Sequence, residues 1–163
     1  NAYLEVSSAP EQDTVFRIYL PRSNDLPVDK ATSASSEQSL PRGEESILLV
    51  DDEVQLLDLV YEVLKDLGYQ VYSAGSAKEA LTILNQNRDI ALLFSDVMMP
   101  GGMNGYELAS LGRAAHPGLK VLLSSGYTDK KIKQIGLGAE AFLRKPYSIS
   151  VMAEKVRSIL DQR

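Results

Sequence analysis

Several residue types and patterns that mark large classes of protein are missing from this sequence. None of its 163 residues is cysteine, which excludes a disulfide framework and a thiolate metal site. No apolar run approaches the ~18 residues that span a membrane, and no signal peptide opens the chain, so we expect a cytoplasmic protein without a membrane partner. The net charge of -5 and the lack of a basic patch argue against a nucleic-acid partner. No glycine-rich phosphate loop is present, so the chain is not expected to bind ATP.

Histidine is scarce, since His116 is the only one in the sequence. It precedes Pro117 in a predicted turn. The acidic neighbour and the dimerisation pattern of a phosphodonor histidine are both missing around it. We therefore interpret His116 as a surface loop residue.

Composition divides the chain into three parts. Residues 22–45 are rich in serine, proline and charge, which is typical of a linker. Before them, within residues 1–21, strand-like runs at 3–7 and 14–20 predict a short β-hairpin arm. An isolated hairpin is only marginally stable, and free strand edges pair readily, so we predict self-association through residues 3–20.

Residues 46–163 alternate between apolar strand-like runs and amphipathic segments. The predicted strands are 46–50, 69–73, 90–95, 120–124 and 140–143. The predicted helices are 54–67, 76–84, 104–115, 129–135 and 148–160. This alternation predicts an α/β fold, a doubly wound five-stranded parallel sheet with helices on both faces.

Helical spacing also predicts which side chains face the core. In the first helix they are Leu56, Val60, Leu64 and Leu67. In the third and last helices they are Leu108, Leu111, Ala115, Val151, Val156 and Leu160.

Polar residues stand where the predicted strands end. Asp51 and Asp52 follow the first strand, and Asp96 follows the third. Ser125 and Lys145 follow the fourth and fifth. Open parallel sheets bind their ligands at this carboxyl edge, so these side chains are expected to form one pocket.

Each of these residues has a simpler explanation on its own. The acid pair could cap the first helix, Ser125 could lie in a turn, and Lys145 could lie in a surface loop. Their joint occurrence at successive strand ends favours a metal and phosphate site instead.

In this order, the pocket residues resemble those of the receiver domain of two-component response regulators. The resemblance covers residues 46–163. It implies a flavodoxin-like sheet with strand order 2-1-3-4-5. It also implies His-Asp phosphorelay signalling, in which Asp96 accepts a phosphoryl group. The donor would be the phosphohistidine domain of a histidine kinase or phosphotransfer protein.

The resemblance assigns a Mg²⁺ ion to the acidic residues, as expected where carboxylates crowd together. Asp52, Asp96 and the backbone carbonyl of Met98 would bind the ion directly. Asp51 would help through water.

Three further residues receive roles from the same resemblance. Lys145 would contact the phosphoryl oxygens, and Ser125 would donate its hydroxyl to them. Phe142 matches an aromatic switch whose ring turns inward as the serine moves. An ordinary strand aromatic is the alternative for Phe142.

Residues 1–21 resemble the last hairpin of a histidine-kinase ATP-binding domain. Both glycines of the kinase GxGT segment are missing from the corresponding residues 11–14. The resemblance implies that the receiver ends a hybrid sensor histidine kinase, a transferase whose catalytic core lies upstream.

Two other classes of function remain open. A Mg²⁺-dependent phosphohydrolase could use an aspartate nucleophile, although that pattern places two acids one residue apart after the first strand. A docking module that is never phosphorylated would usually lack one pocket residue.

Overall fold

The structure is a computed structural model of the chain. The residues that it describes are 3–8, 13–20, 40–126 and 141–162. They fall into two compact units, Asn1–Gln38 and Ser39–Arg163. No helix among the described residues is long and apolar enough to cross a membrane. Most of the predicted linker lies outside the described residues, and residues 40–45 belong to the second unit.

The first unit contains the predicted hairpin. Strand β1, Tyr3–Ser7, pairs antiparallel with strand β2, Val15–Tyr19. Cross-strand partners lie on the same face of such a pair. One face therefore carries only apolar side chains, with Leu4 opposite Ile18 and Val6 opposite Phe16. These side chains are 53–67% exposed.

The opposite face of the hairpin is more polar. Tyr3 and Tyr19 lie opposite each other with ring centroids 5.8 Å apart. Beside them Arg17 lies 3.8 Å from Glu5, which also accepts a hydrogen bond from the Tyr19 hydroxyl at 3.2 Å. The hairpin is thus amphipathic.

The second unit is built on a parallel sheet of five strands. They are β3 Ser46–Val50, β4 Gln70–Ala74, β5 Ile90–Asp96, β6 Lys120–Ser125 and β7 Phe142–Arg144. Their spatial order is β4-β3-β5-β6-β7. This confirms the predicted order 2-1-3-4-5. Every residue of β3 is buried, as expected for a central strand covered on both faces.

Four helices cover the sheet among the described residues. They are α1 Val54–Asp66, α2 Ala77–Gln86, α3 Gly105–Ala115 and α4 Ile149–Leu160. One core cluster contains residues of α1 and α4, and a second contains residues of α2 and α3. The predicted helix 129–135 and Glu140, the first residue of the predicted fifth strand, lie outside the described residues.

Local signals fix where several helices begin. The Ser76 side chain caps α2 by accepting from the backbone of its third residue, and Ser148 does the same for α4. Asn104 and Glu107 form a reciprocal capping box at the start of α3. These caps place the loops of the carboxyl edge at defined positions.

Three predicted core positions are wrong, since Leu111, Ala115 and Val151 are all exposed. Leu111 is 47% exposed and Val151 is 49% exposed, whereas Met152 is 1% exposed. In α3 the buried face includes Leu108 and Gly112, which leaves Leu111 at its edge. Helical spacing predicts that a helix has an apolar face. It does not predict which residues are buried when apolar residues also lie at both borders of that face.

The prediction for His116 is also wrong, since this residue is 8% exposed. His116 ends α3, donating its N–H to Gly112 and accepting from the N–H of Leu119. Its Nε2 lies 3.4 Å from Nη1 of Arg88. The turn closed by the hydrogen bond from Leu119 keeps His116 at the end of α3, where it is buried.

Candidate functional site

Four polar residues lie at the carboxyl edge of the sheet. Asp51 follows β3, Asp96 is the last residue of β5, and Ser125 is the last residue of β6. Lys145 follows β7. The strands are parallel, so the structure brings all four positions to the same edge.

Lys145 joins the two aspartates through its ammonium group. Its Nζ lies 3.0 Å from Asp51 Oδ2 and 2.9 Å from Asp96 Oδ1. Both aspartates are buried. Burial opposes the charged amine, but the hydrogen bonds to Asp96 and Asp51 outweigh it and raise the pKa of Lys145. A fixed positive charge therefore offsets the repulsion between the two carboxylates.

The remaining carboxylate oxygens bind backbone amides of their own loops. Asp51 Oδ1 accepts from the N–H of Glu53 at 3.0 Å, at the start of α1. Asp96 Oδ2 accepts from the N–H of Met98 at 2.9 Å. Each carboxylate is thus held from both sides, so its orientation is fixed before any ligand binds.

Asp52 is placed differently from its neighbour. It is exposed, whereas Asp51 is buried. No group of three His, Asp or Glu side chains within the described ranges could hold a metal ion. The structure therefore brings Asp51 and Asp96 together around Lys145, and the full predicted ligand set stays a prediction.

Ser125 lies at the centre of the backbone framework of the site. It is buried, and its carbonyl accepts from the N–H of Lys145 at 2.9 Å. The carbonyl of the preceding Ser124 accepts from Val97 at 3.0 Å. The end of β6 thus holds both the loop after Asp96 and the strand end before Lys145.

The start of α3 packs directly against the backbone of Asp96. A Cβ on Gly105 would lie 2.2 Å from the Asp96 carbonyl oxygen, so only glycine fits there. The next residue, Tyr106, is buried, and its ring centroid lies 6.0 Å from that of Phe142. Phe142 is half-buried and packs on the second core cluster. The predicted switch aromatic therefore contacts the helix that follows the Asp96 loop.

Sequence reasoning did not single out Tyr147, although it lies only two residues beyond Lys145. Its ring packs 6.5 Å from that of Phe94. Tyr147 lines a small cavity together with Asp51 and Asp96. Burial raises the pKa of its hydroxyl, and the charge of Lys145 opposes the shift.

The loop between β5 and α3 leaves one side chain at the mouth of the site. Met98 is 68% exposed. Gly101 and Gly102 further along have φ values of 98° and 96°, which side chains rarely adopt. These two glycines let the loop turn back toward α3.

The fold and this arrangement at the strand ends agree with a family comparison. Residues 47–157 match the family model described as the response regulator receiver domain. The chain belongs to this family, and it contains a receiver domain of two-component signalling.

The chain is similar to a sensor kinase and to solved receiver structures. It is 31% identical over 171 residues to sensor kinase CckA of Brucella abortus, which covers 99% of this chain and 18% of that protein. The solved receiver domain of hybrid histidine kinase CckA is 35% identical, with a TM-score of 0.61, covering 71% of this chain and 99% of that one. Chemotaxis protein CheY4 of Vibrio cholerae is 27% identical, with a TM-score of 0.64, covering 72% and 99%.

Proposed function

We propose that Asp96 accepts a phosphoryl group from the phosphohistidine of a histidine kinase or phosphotransfer protein. A carboxylate oxygen of Asp96 forms a bond to phosphorus while the bond between phosphorus and the imidazole nitrogen breaks. The observation that supports this is the 2.9 Å contact between the buried Asp96 and the Lys145 ammonium. A cation at that distance can neutralise charge on a phosphoryl group attached to Asp96.

The donor chemistry of the same edge fits Mg²⁺. Asp51 and Asp96 are buried side by side with oxygen atoms around one positive charge, and hard divalent cations prefer such ligands. We propose that Asp52, Asp96 and the Met98 carbonyl hold the ion directly. Asp51 would hold it through water. When bound, Mg²⁺ supplies positive charge for the phosphoryl oxygens.

Ser125 and Phe142 then carry the response. The Ser125 hydroxyl donates a hydrogen bond to the new phosphoryl group. Phe142, on the neighbouring strand β7 and in contact with Tyr106, adjusts its packing as Ser125 moves. The surface beside β7 is thereby altered.

Intact mass measurement after incubation with acetyl phosphate and Mg²⁺ tests the phosphoacceptor. One phosphoryl adduct is expected on the wild type and none on Asp96→Asn. Asp58→Asn, an exposed aspartate on α1, is the matched control and should be modified like the wild type. An adduct of equal yield on Asp96→Asn would assign the phosphate elsewhere.

The receiver is proposed to belong to a hybrid sensor histidine kinase. Support comes from the similarity to sensor kinase CckA, which extends over 99% of this chain and so reaches the hairpin. The hairpin would close the ATP-binding domain of the kinase. Its exposed apolar face, which includes Phe16 and Ile18, would be covered there by the rest of that domain.

Without such a cover, two copies of the chain should associate through this face, since burying each large apolar side chain contributes about 1.5 to 3 kcal/mol. Light scattering should show self-association for the full chain and a monomer for Phe16→Ser with Ile18→Ser. Val15→Ser, on the other face, is the control and should associate like the wild type. Equal association of all three proteins would exclude this face.

A docking module without phosphorylation is the second candidate. Lys145 already neutralises Asp51 and Asp96 in the absence of a phosphoryl group. Binding of Mg²⁺ without any incorporation of phosphate would favour this function over the first.

A further inference from the structure

Residues 40–45, here called the strap, are bound closely to the receiver although they precede the part matched by the family model. Gly43 donates its N–H to the carbonyl of Leu67 at 3.2 Å, just after α1. Glu45 accepts from the N–H of Gln70, the first residue of β4, at 3.1 Å. The strap therefore joins the end of α1 to the start of β4.

Side chains extend these backbone contacts. Arg42 Nη2 donates to the carbonyl of Asp66, the last residue of α1, at 2.8 Å. Leu40 packs against the first core cluster. The chain that enters the receiver is thus attached to its core from residue 40 onward.

Arg157, in the last turn of α4, holds the strap from the other side. Its Nη2 lies 2.6 Å from Glu45 Oε1 and its Nη1 lies 3.1 Å from Glu45 Oε2. Its Nη1 also donates to the carbonyl of Arg42 at 3.4 Å. The two-pronged contact with Glu45 fixes the orientation as well as the distance of both groups.

The ion pair extends to a third group and perturbs titration. The Nε of Arg157 donates to Asp161 Oδ1 at 3.0 Å. Hydrogen bonds from Arg157 lower the pKa of Glu45 to about 2, against partial desolvation that acts in the opposite direction. Glu45 therefore stays ionised in its contact with Arg157 across the ordinary pH range.

Two glycines show how closely the strap fits. A Cβ on Gly43 would lie 2.2 Å from a ring atom of Tyr69 and 2.7 Å from Arg157. A Cβ on Gly68, whose φ is 98°, would lie 2.7 Å from the Gly43 carbonyl oxygen. A side chain at either position would separate the strap from the receiver.

Helix α4 runs between the strap and the phosphoacceptor site. Its N-cap, Ser148, lies three residues after Lys145, and Arg157 lies in its last turn. Its 12 residues span roughly 18 Å at 1.5 Å per residue. Its inner face is buried, including Met152 and Val156, so the helix is expected to move as one rigid body.

We propose that the strap, through Arg157 and α4, positions Lys145 and so couples the incoming chain to the phosphoacceptor site. Arg157 is then a positioning residue that acts through Lys145. This proposal rests on the function proposed above, because it assumes that Lys145 contacts the group bound at Asp96. By linkage, the strap and that group must affect each other's stability equally.

Beryllofluoride with Mg²⁺, a non-covalent probe of phosphoryl binding, tests the coupling. Calorimetric titration should show affinity about fivefold or more weaker in Glu45→Gln and Arg157→Gln than in the wild type, the lower end of typical coupling. Glu44→Gln removes a neighbouring charge that does not contact Arg157, and it should bind like the wild type. Urea unfolding establishes that each variant is folded.

Arg157→Lys separates the geometry of the contact from its charge. The lysine keeps the positive charge but cannot make the two-pronged contact with Glu45. The affinity of this variant for beryllofluoride should therefore also be weakened. Hydrogen exchange gives the reciprocal measurement: the amides of Gly43 and Gln70 should exchange more slowly in the wild type when the probe is bound.

The outcomes separate the two proposals. The coupling is overturned, and the proposed function is not, if two results are found together. These are Asp96-dependent binding of the probe by the wild type, and less than fivefold weakening of that binding in Glu45→Gln and Arg157→Gln. Unchanged exchange at Gly43 and Gln70 on probe binding also overturns it. No Asp96-dependent binding by the wild type overturns the coupling and the proposed function together.

Discussion

The two ends of the receiver sheet each hold a cation between two carboxylates, but with different chemistry. At the carboxyl edge, Lys145 lies between the buried Asp51 and Asp96. At the opposite edge, Arg157 lies between Glu45 and the exposed Asp161. An ammonium is a compact charge that can turn toward a new partner, whereas a guanidinium fork is matched to one carboxylate geometry. The first arrangement suits exchange of partners, and the second suits permanent attachment.

The largest expected effect comes from removing the exchangeable cation. Lys145→Ala leaves Asp51 and Asp96 facing each other without a counter-charge. We expect the free energy of unfolding in EDTA to fall by about 3 kcal/mol. This is at the low end for a broken buried ion pair, because Lys145 is partly exposed. Mg²⁺ should restore part of the loss if it binds these acids.

Urea unfolding with EDTA and with Mg²⁺ measures both effects. Lys155→Ala, on α4 and without an ion pair among those that the structure describes, is the control. Equal unfolding free energies for Lys145→Ala and this control would show that Lys145 does not offset the repulsion.

Asp52 provides the next test of the carboxyl edge. If Asp52 binds Mg²⁺ directly, Asp52→Ala should weaken the affinity by about tenfold or more, since even indirect partners of a metal contribute that much. The fold should survive because Asp52 is exposed. Titration calorimetry compares this variant with Glu53→Gln, which alters the adjacent acid. Unchanged affinity in Asp52→Ala would remove Asp52 from the ligand set.

At the strap, the ion pair between Glu45 and Arg157 should make the free energy of unfolding depend on pH. The pKa of Glu45 is lowered from 4.5 to about 2 in the folded protein, so its stabilisation is present above about pH 5 and is lost as the pH falls toward 2. Because Glu45 is about one-third exposed, we expect only about 1 kcal/mol after allowing for solvent screening. Glu45→Gln should be less stable than the wild type at pH 6, and the two should converge only as the pH falls to about 2. A constant difference in urea unfolding across this range would contradict the assignment.

The smallest effect is expected at Met98, at the mouth of the site. Its exposed apolar side chain cannot activate water, so Met98→Asn should shorten the life of the Asp96 phosphate by a few-fold, under about 1 kcal/mol in the barrier. Intact mass measurements over time follow the loss of the phosphoryl group. The Met98→Asn variant should still become phosphorylated. Identical rates of phosphate loss in the wild type and in Met98→Asn would show that Met98 does not protect the Asp96 phosphate from hydrolysis.

The sheet was predictable because buried parallel strands appear in the sequence as continuous apolar runs. The runs that end at Val50 and Ser95 marked two strands, and parallel order then placed Asp51 and Asp96 at one edge. Helix faces were less certain, as Leu111 and Val151 show, because apolar residues also border the buried stripes.

The contacts within the sites were harder to predict than the positions of their residues. That Lys145 binds both Asp51 and Asp96 depends on side-chain distances between the ends of β3, β5 and β7, which no spacing encodes. The strap was missed because Glu45 lies in a polar stretch typical of linkers, and its partner Arg157 is 112 residues away. Only a folded chain reveals that such a stretch is attached.

The strap determines where this receiver domain can be joined to another protein without the loss of its contacts. A gene fusion that begins at Ile47, where the family match begins, would discard Glu45 and leave the Arg157 fork without its main carboxylate partner. A fusion at Ser39, where the second unit begins, carries the whole strap along. Recombination between kinase genes should therefore preserve receiver behaviour when it occurs before residue 39 rather than at the edge of the recognisable family sequence.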